Sequence, residues 1–259
     1  VGGQEKGEVA SRVVADSIGQ FMQKVDLSKP FSSFDFGELL GSVYRSFNRQ
    51  VKGSNHDMAT TMTFACLHEA GVFCAHIGDS RIYHVRPGVG ILYQSEDHSL
   101  VNALVHSGHL TPEEAIDHPR KNVITRSIRY FEDKDEQETA TTLNISDVEA
   151  GDYFFLCTDG VLHSISDEEL YSILASPGSD KDKMARIAEM SATSTDNNTA
   201  YLIGIKDVEK DRSETVDEEE TVYTTPIAVP TSGVEETPPR TSGNNLITKI
   251  IRLFHHKKG

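Results

Sequence analysis

Residues 62–86 read MTFACLHEAGVFCAHIGDSRIYHVR. Three β-rich apolar runs, MTFACLH, GVFCAHIG and RIYHVR, are separated by the turn-like stretches Glu69-Ala70-Gly71 and Gly78-Asp79-Ser80. A fourth short run, ILYQ, follows Pro87-Gly88. The pattern predicts an antiparallel meander whose strands are apolar on both faces. A strand of that kind must be buried between two layers, so the segment demands cover above and below.

The flanking sequence supplies the cover. Over residues 7–25, Ala10, Val13, Val14, Ser17, Ile18, Phe21, Met22 and Val25 recur at three- and four-residue spacing and predict a helix with one apolar face. Residues 34–51 repeat the pattern with Phe36, Leu39, Leu40, Val43, Tyr44, Phe47 and Val51. Downstream, residues 98–107 predict a further helix, and Thr111-Pro112-Glu113-Glu114 reads as a capping box with proline at the first helical position. Residues 126–150 look irregular and polar, a surface loop. YFFLC (153–157) predicts a strand, Ser166-Asp167-Glu168-Glu169 a second capping box, 181–192 a helix and AYLIGI (200–205) the last strand.

Composition sets outer limits. The chain has 259 residues, 37% hydrophobic and 25% charged, enough for one large domain plus a tail. No run of apolar residues is long enough to span a membrane. The opening VGGQEKGEVA has neither the basic n-region nor the apolar h-region of a signal peptide, and the expected compartment, read from the three cysteines, is the reducing cytoplasm. The formal charge is −15, of which the first 205 residues hold −13. Such a surface repels nucleic acid phosphates and argues against a nucleic-acid partner. Cys66, Cys74 and Cys157 lie in apolar runs without a CxxC and read as buried thiols. His106 and His109 stand three apart with no third ligand at a telling spacing, so surface or hydrogen-bonded histidines are expected.

After residue 206 the composition shifts to Glu, Thr, Pro and Ser. The reading is a domain over 1–206, a disordered acidic linker over 207–245, and a short basic amphipathic segment over 246–259. The last of these could dock on this or another domain or touch a membrane surface.

Three aspartates stand beside Gly or Asn at the ends of expected strands: Asp79 in IGDSR, Asp159 in LCTDG and Asp196 in TDNNT. Any one alone reads first as an ordinary turn residue. Several carboxylates meeting at one sheet edge would repel unless a cation lay between them, and oxygen-only ligands suit Mg²⁺ or Mn²⁺.

The motifs occur in a telling order. Gly2-Gly3, Gly7-Glu8 and Ala10-Ser11 are followed by Ala59-Thr60-Thr61, Gly78-Asp79-Ser80-Arg81 and Thr111-Pro112-Glu113-Glu114-Ala115. Then come His118-Pro119-Arg120, Thr158-Asp159-Gly160 and Asp196-Asn197-Asn198-Thr199. This ordered set resembles the metal-dependent (type 2C, or PPM) serine/threonine protein phosphatases, especially their compact bacterial members, over about residues 1–206. The resemblance implies an α+β fold, an antiparallel β-sandwich flanked by helix pairs on both faces. It implies a binuclear Mg²⁺ or Mn²⁺ centre with Asp159 and Asp196 as ligands, and Asp79 as the ligand of a third ion. Hydrolysis of phosphoserine and phosphothreonine in phosphoproteins made by a Ser/Thr kinase would follow, by attack of metal-activated water.

The sequence departs from the family in two places. The family motif Asp-Gly-x-Gly-Gly enters here only at Val1-Gly2-Gly3, so its metal-bridging Asp and the first strands would lie before Val1, and an N-terminal truncation is expected. Ala59 replaces the usual Gly before Thr60-Thr61. Two functions stay open at this point: a phosphatase, with the chain itself impaired, and a catalytically inactive module of the same fold that binds phosphoprotein or a regulator.

Overall fold

The computed structural model describes residues 7–51 and 58–208. Two helices come first, α1 (Gly7–Met22) and α2 (Ser33–Val51). Strands β1 (Ala59–Thr60), β2 (Met62–His68), β3 (Gly71–Ile77), β4 (Arg81–Arg86) and β5 (Gly90–Gln94) follow. Then come α3 (Leu100–His106), α4 (Pro112–Ile116), β6 (Ile128–Arg129) and β7 (Thr141–Ile145). The domain finishes with β8 (Tyr153–Cys157), α5 (Asp159–Leu162), α6 (Asp167–Ala175), α7 (Asp180–Ser191) and β9 (Ala200–Gly204).

The strands form a three-stranded sheet, β2-β3-β7, a four-stranded sheet, β5-β4-β8-β9, and a small pair, β1-β6, with every pairing antiparallel. Side chains along a strand alternate between faces, and here the alternation sorts residues into three cores. From β3, Val72 and Cys74 point into the space between the sheets, where they join Ile82 of β4 and Phe154 and Leu156 of β8. The alternate residues Phe73, Ala75 and Ile77 pack instead under α1 and α2, against Ala10, Val14, Leu39, Val43 and Phe47. On the far side, Tyr83, Val85, Phe155 and Cys157 meet Leu170, Ile173, Leu174 and Ile187 of α6 and α7. The layer order is helices, sheet, sheet, helices, the expected α+β sandwich.

The expected single meander is corrected. β2 and β3 form a hairpin with His68 opposite Gly71, and β4 pairs with β5, but β3 does not pair with β4. The chain crosses between sheets at Gly78-Asp79-Ser80. Gly78 takes φ +106°, a left-handed value, and a Cβ there would collide with the Thr61 side chain. Two-faced burial holds for the interior strands β3, β4 and β8, whereas β2 alternates along its length and β5 is only partly covered. Within 126–150 the structure has β6, a short 3₁₀ turn and β7 where a polar loop was expected. The polar pattern misled because Thr141, Thr142 and Asn144 face solvent on an edge strand, which gains its order from pairing with β3.

Helix starts follow local chemistry. Thr111 and Ser166 make the two expected capping boxes, and Ser179 with Asp182 makes a third at the start of α7. The three cysteines are free and buried. His106 and His109 are exposed, the surface placement expected of them. No helix among the described residues is long and apolar enough to cross a membrane. The expectations for Val1-Gly2-Gly3, and for the linker and terminal segment from residue 209 onward, lie outside the described residues.

Candidate metal centre

Strand register brings the three aspartates to one end of the four-stranded sheet. Arg81 at the start of β4 is opposite Cys157 at the end of β8, and Cys157 is opposite Ala200 at the start of β9. Asp79 lies two residues before that row, Asp159 two residues after it, and Asp196 four residues before it. All three therefore leave the sheet on the same side of one rung.

The Asp159 and Asp196 loops are tied together directly. The Thr158 N–H donates to the Thr199 carbonyl at 3.0 Å, and the Thr199 N–H donates back to Thr158 Oγ at 3.1 Å. Gly160 follows Asp159 because nothing larger fits. A Cβ there would collide with the Asn197 carbonyl oxygen and lie 3.4 Å from Asp196 Cβ. Asp159 lies just past the end of β8, as expected, and opens the four-residue helix α5. Its Oδ1 accepts the Gly160 N–H at 2.9 Å, and Asp196 Oδ1 accepts the Asn197 N–H at 2.8 Å. Gly160→Ala should force the two loops apart and destabilise the fold by about 1–3 kcal/mol, the usual range for overpacking. Thermal melting checks this, and an unchanged melting temperature would show that the loops are not in the tight contact described.

The carboxylates feel one another. Burial, and then the charge of Asp159, push Asp79 up to about 6. Burial, and then the charge of Asp196, raise Asp159, while His163, with Nε2 4.0 Å from Asp159 Oδ2, opposes the shift. Asp79, Asp159 and Asp196 are thus linked in series by like-charge repulsion, the condition a hard cation relieves. Among the described residues no three His, Cys, Asp or Glu side chains gather closely enough to enclose a metal ion. An ion held here would keep water, or groups outside the described residues, in its shell, which suits a cation that dehydrates reluctantly such as Mg²⁺.

The sequence reading missed the support beneath this end. Asp97 adds negative charge felt by both Asp79 and Asp159, and is itself clamped by Arg81 through Nε–Oδ1 at 2.7 Å and Nη2–Oδ2 at 2.8 Å. The bidentate pair fixes the first residue of β4, two positions after Asp79. Thr61 Oγ1 and Ser80 Oγ are hydrogen-bonded at 2.8 Å across the sheet junction. The one local signal for this support was an acid and a histidine, Asp97-His98, immediately before the cap of α3, Ser99.

With the geometry in place, known proteins supply the comparison. The protein phosphatase 2C family profile matches residues 1–198. Protein phosphatase PhpP of Streptococcus pneumoniae serotype 2 is 32% identical over 215 residues, covering 80% of this chain and 83% of that protein. The crystal structure of the Mycobacterium tuberculosis serine/threonine phosphatase PstP/Ppp superposes with TM-score 0.67 at 28% identity, covering 80% of this chain and 85% of the other. The catalytic domain of PstP in complex with two manganese ions superposes with TM-score 0.63 at 27% identity, with coverage of 80% and 85%. The chain belongs to the protein phosphatase 2C family.

Proposed function

We propose that this protein hydrolyses phosphoserine and phosphothreonine esters in phosphoproteins made by a Ser/Thr kinase, with Mg²⁺ or Mn²⁺ held at Asp159, Asp196 and Asp79. The observation that carries the reading is the strand register that sends three half-buried aspartates, Asp79, Asp159 and Asp196, out of the same end of one sheet in a chain of this family. A structural neighbour of the same fold that holds two manganese ions supports the choice of cofactor. When bound, a divalent metal pair supplies positive charge at the phosphoryl group and acidifies water.

The chain's own part is to hold the carboxylates where that charge is needed. The threonine bonds between residues 158 and 199 and the Gly160 contact fix two of them in relative position before any ion arrives. This chain's chemistry argues against a cysteine nucleophile. All three cysteines are buried, and burial raises each thiol well above its usual range, the opposite of an activated thiolate. Three free thiols also suit the reducing cytoplasm.

The test is hydrolysis of a phosphothreonine peptide. Turnover should require Mn²⁺ or Mg²⁺, vanish with excess EDTA and return when the metal is restored. Chelator-resistant turnover would overturn the metal assignment. Metal-independent phosphopeptide binding without turnover would favour the inactive binding module.

A further inference from the structure

The turn that carries Asp79 crosses between sheets, so no strand ladder holds it. His98, in the loop between β5 and α3, takes that part. Its backbone N–H donates to the Gly78 carbonyl at 2.9 Å, and its Nδ1 accepts the Gly78 N–H at 3.1 Å. Both backbone polar atoms of the residue before Asp79 therefore end on one side-chain-bearing residue.

The tautomer follows from the partners. A backbone N–H only donates, so Nδ1 carries no proton and the ring proton sits on Nε2, 2.8 Å from Thr141 Oγ1 on β7. Arg126 Nη1 lies 3.5 Å from the same Nε2, where two donors face each other, so this is proximity and not a bond. The ring stacks on His76 of β3, with centroids 4.5 Å apart and planes 17° from parallel. His76 is fixed in turn, its Nε2–H donating to the Glu96 carbonyl at 2.8 Å. Burial holds both rings below the usual histidine range, which keeps the acceptor nitrogen of His98 free. His98 thus bridges the loop before α3, the crossover, and both β3 and β7.

We propose that His98 is a positioning residue for Asp79: its imidazole Nδ1 holds the Gly78 amide so that the following carboxylate is aimed at the metal. The proposal rests on the reading of Asp79 as a metal ligand. His98→Phe keeps a ring to stack on His76 but removes the acceptor and leaves the Gly78 amide unpaired. His98→Asn returns an acceptor oxygen near the place of Nδ1, whereas His98→Gln places it near Nε2, out of reach of Gly78.

The measurement is Mn²⁺ titration of the full-length protein by calorimetry, with melting temperature as a check on folding. Asp79→Asn identifies the Mn²⁺ site that depends on that carboxylate. His98→Phe should weaken the same site by about tenfold, equivalent to about 1.4 kcal/mol, and leave the remaining binding unchanged. His98→Asn should recover most of the affinity and His98→Gln should not, which keeps the test open if the Phe variant fails to fold. Combining His98→Phe with Asp79→Asn should weaken binding no further than Asp79→Asn alone. A normal isotherm for His98→Phe and His98→Gln, or an additive double variant, would overturn the positioning role. An unchanged isotherm for Asp79→Asn would remove the metal-ligand reading itself.

Discussion

Replacing Asp159 with asparagine should lower phosphopeptide turnover by more than about a hundredfold while leaving the fold intact. Outer partners of metal ligands are typically worth 10- to 100-fold, and a ligand itself should exceed that. Asparagine keeps the shape and can still accept the Gly160 N–H, so α5 should survive. Stability should move the other way. In the folded chain the Asp159 pKa is raised, by burial first and Asp196 second. A carboxyl of that kind binds its proton more tightly folded than unfolded, so its contribution to stability falls as pH rises out of the ordinary carboxylate range. At neutral pH and without metal, the ionised Asp159 is a cost that asparagine removes. Metal-free Asp159→Asn should melt at the same temperature as the parent or higher, and should lose most of the rise that Mn²⁺ confers on the parent. A fall in metal-free melting temperature together with normal turnover would mark Asp159 as a structural residue and not part of the centre.

Asp152→Ala should have the largest effect on stability, at the opposite end of the same strands. Asp152 is buried immediately before β8 and gathers four donors. Arg86 Nε donates at 2.8 Å, Arg86 Nη2 at 3.0 Å, His84 Nε2 at 2.9 Å and the Glu149 N–H at 2.8 Å. Burial alone would raise the Asp152 pKa, but bonds from Arg86, the Glu149 amide and His84 together hold it below its usual 3.8. For His84 burial wins, so the imidazole is neutral and donates to an ionised carboxylate as a hydrogen bond, not an ion pair. Alanine would leave the buried His84 N–H without its acceptor and take two bonds from Arg86, which would keep only its outer partners Asp147 and Glu149. The expected loss is about 3 kcal/mol, from the orphaned buried His84 donor and the charge-assisted bonds lost at Asp152. Urea unfolding at neutral pH measures it. Because the folded pKa is depressed, this contribution is present in full above the ordinary carboxylate range and is lost as pH falls below it. The parent and Asp152→Ala proteins should therefore converge in stability in acid. A loss under 1 kcal/mol at neutral pH would mean that solvent reaches the network in place of Asp152.

The sequence by itself determined the long helices, the apolar strands and their covered faces. The spacing of Ala10, Val14, Leu39, Val43 and Phe47 is a local property of helices, and Thr111 and Ser166 cap through partners three residues away, so both were legible without a fold. The two-faced apolarity of residues 71–77 and 81–86 likewise required two layers, and the ordered Gly-Asp and Asp-Asn motifs pointed to the family. Only the tertiary structure decided what pairs with what. Whether Gly78-Asp79-Ser80 closes a hairpin or crosses between sheets depends on Thr61, Ser80 and His98 meeting there, contacts no local pattern encodes. β7 was hidden for the same reason, since Thr141 and Asn144 are polar and become strand only by hydrogen bonding to β3. Asp79, Asp159 and Asp196 could be singled out as candidates from their motifs. Their placement at one end of one sheet was set by the register that aligns Arg81, Cys157 and Ala200 across three strands far apart in sequence, because antiparallel pairing is fixed by long-range packing and not by the residues of any one strand.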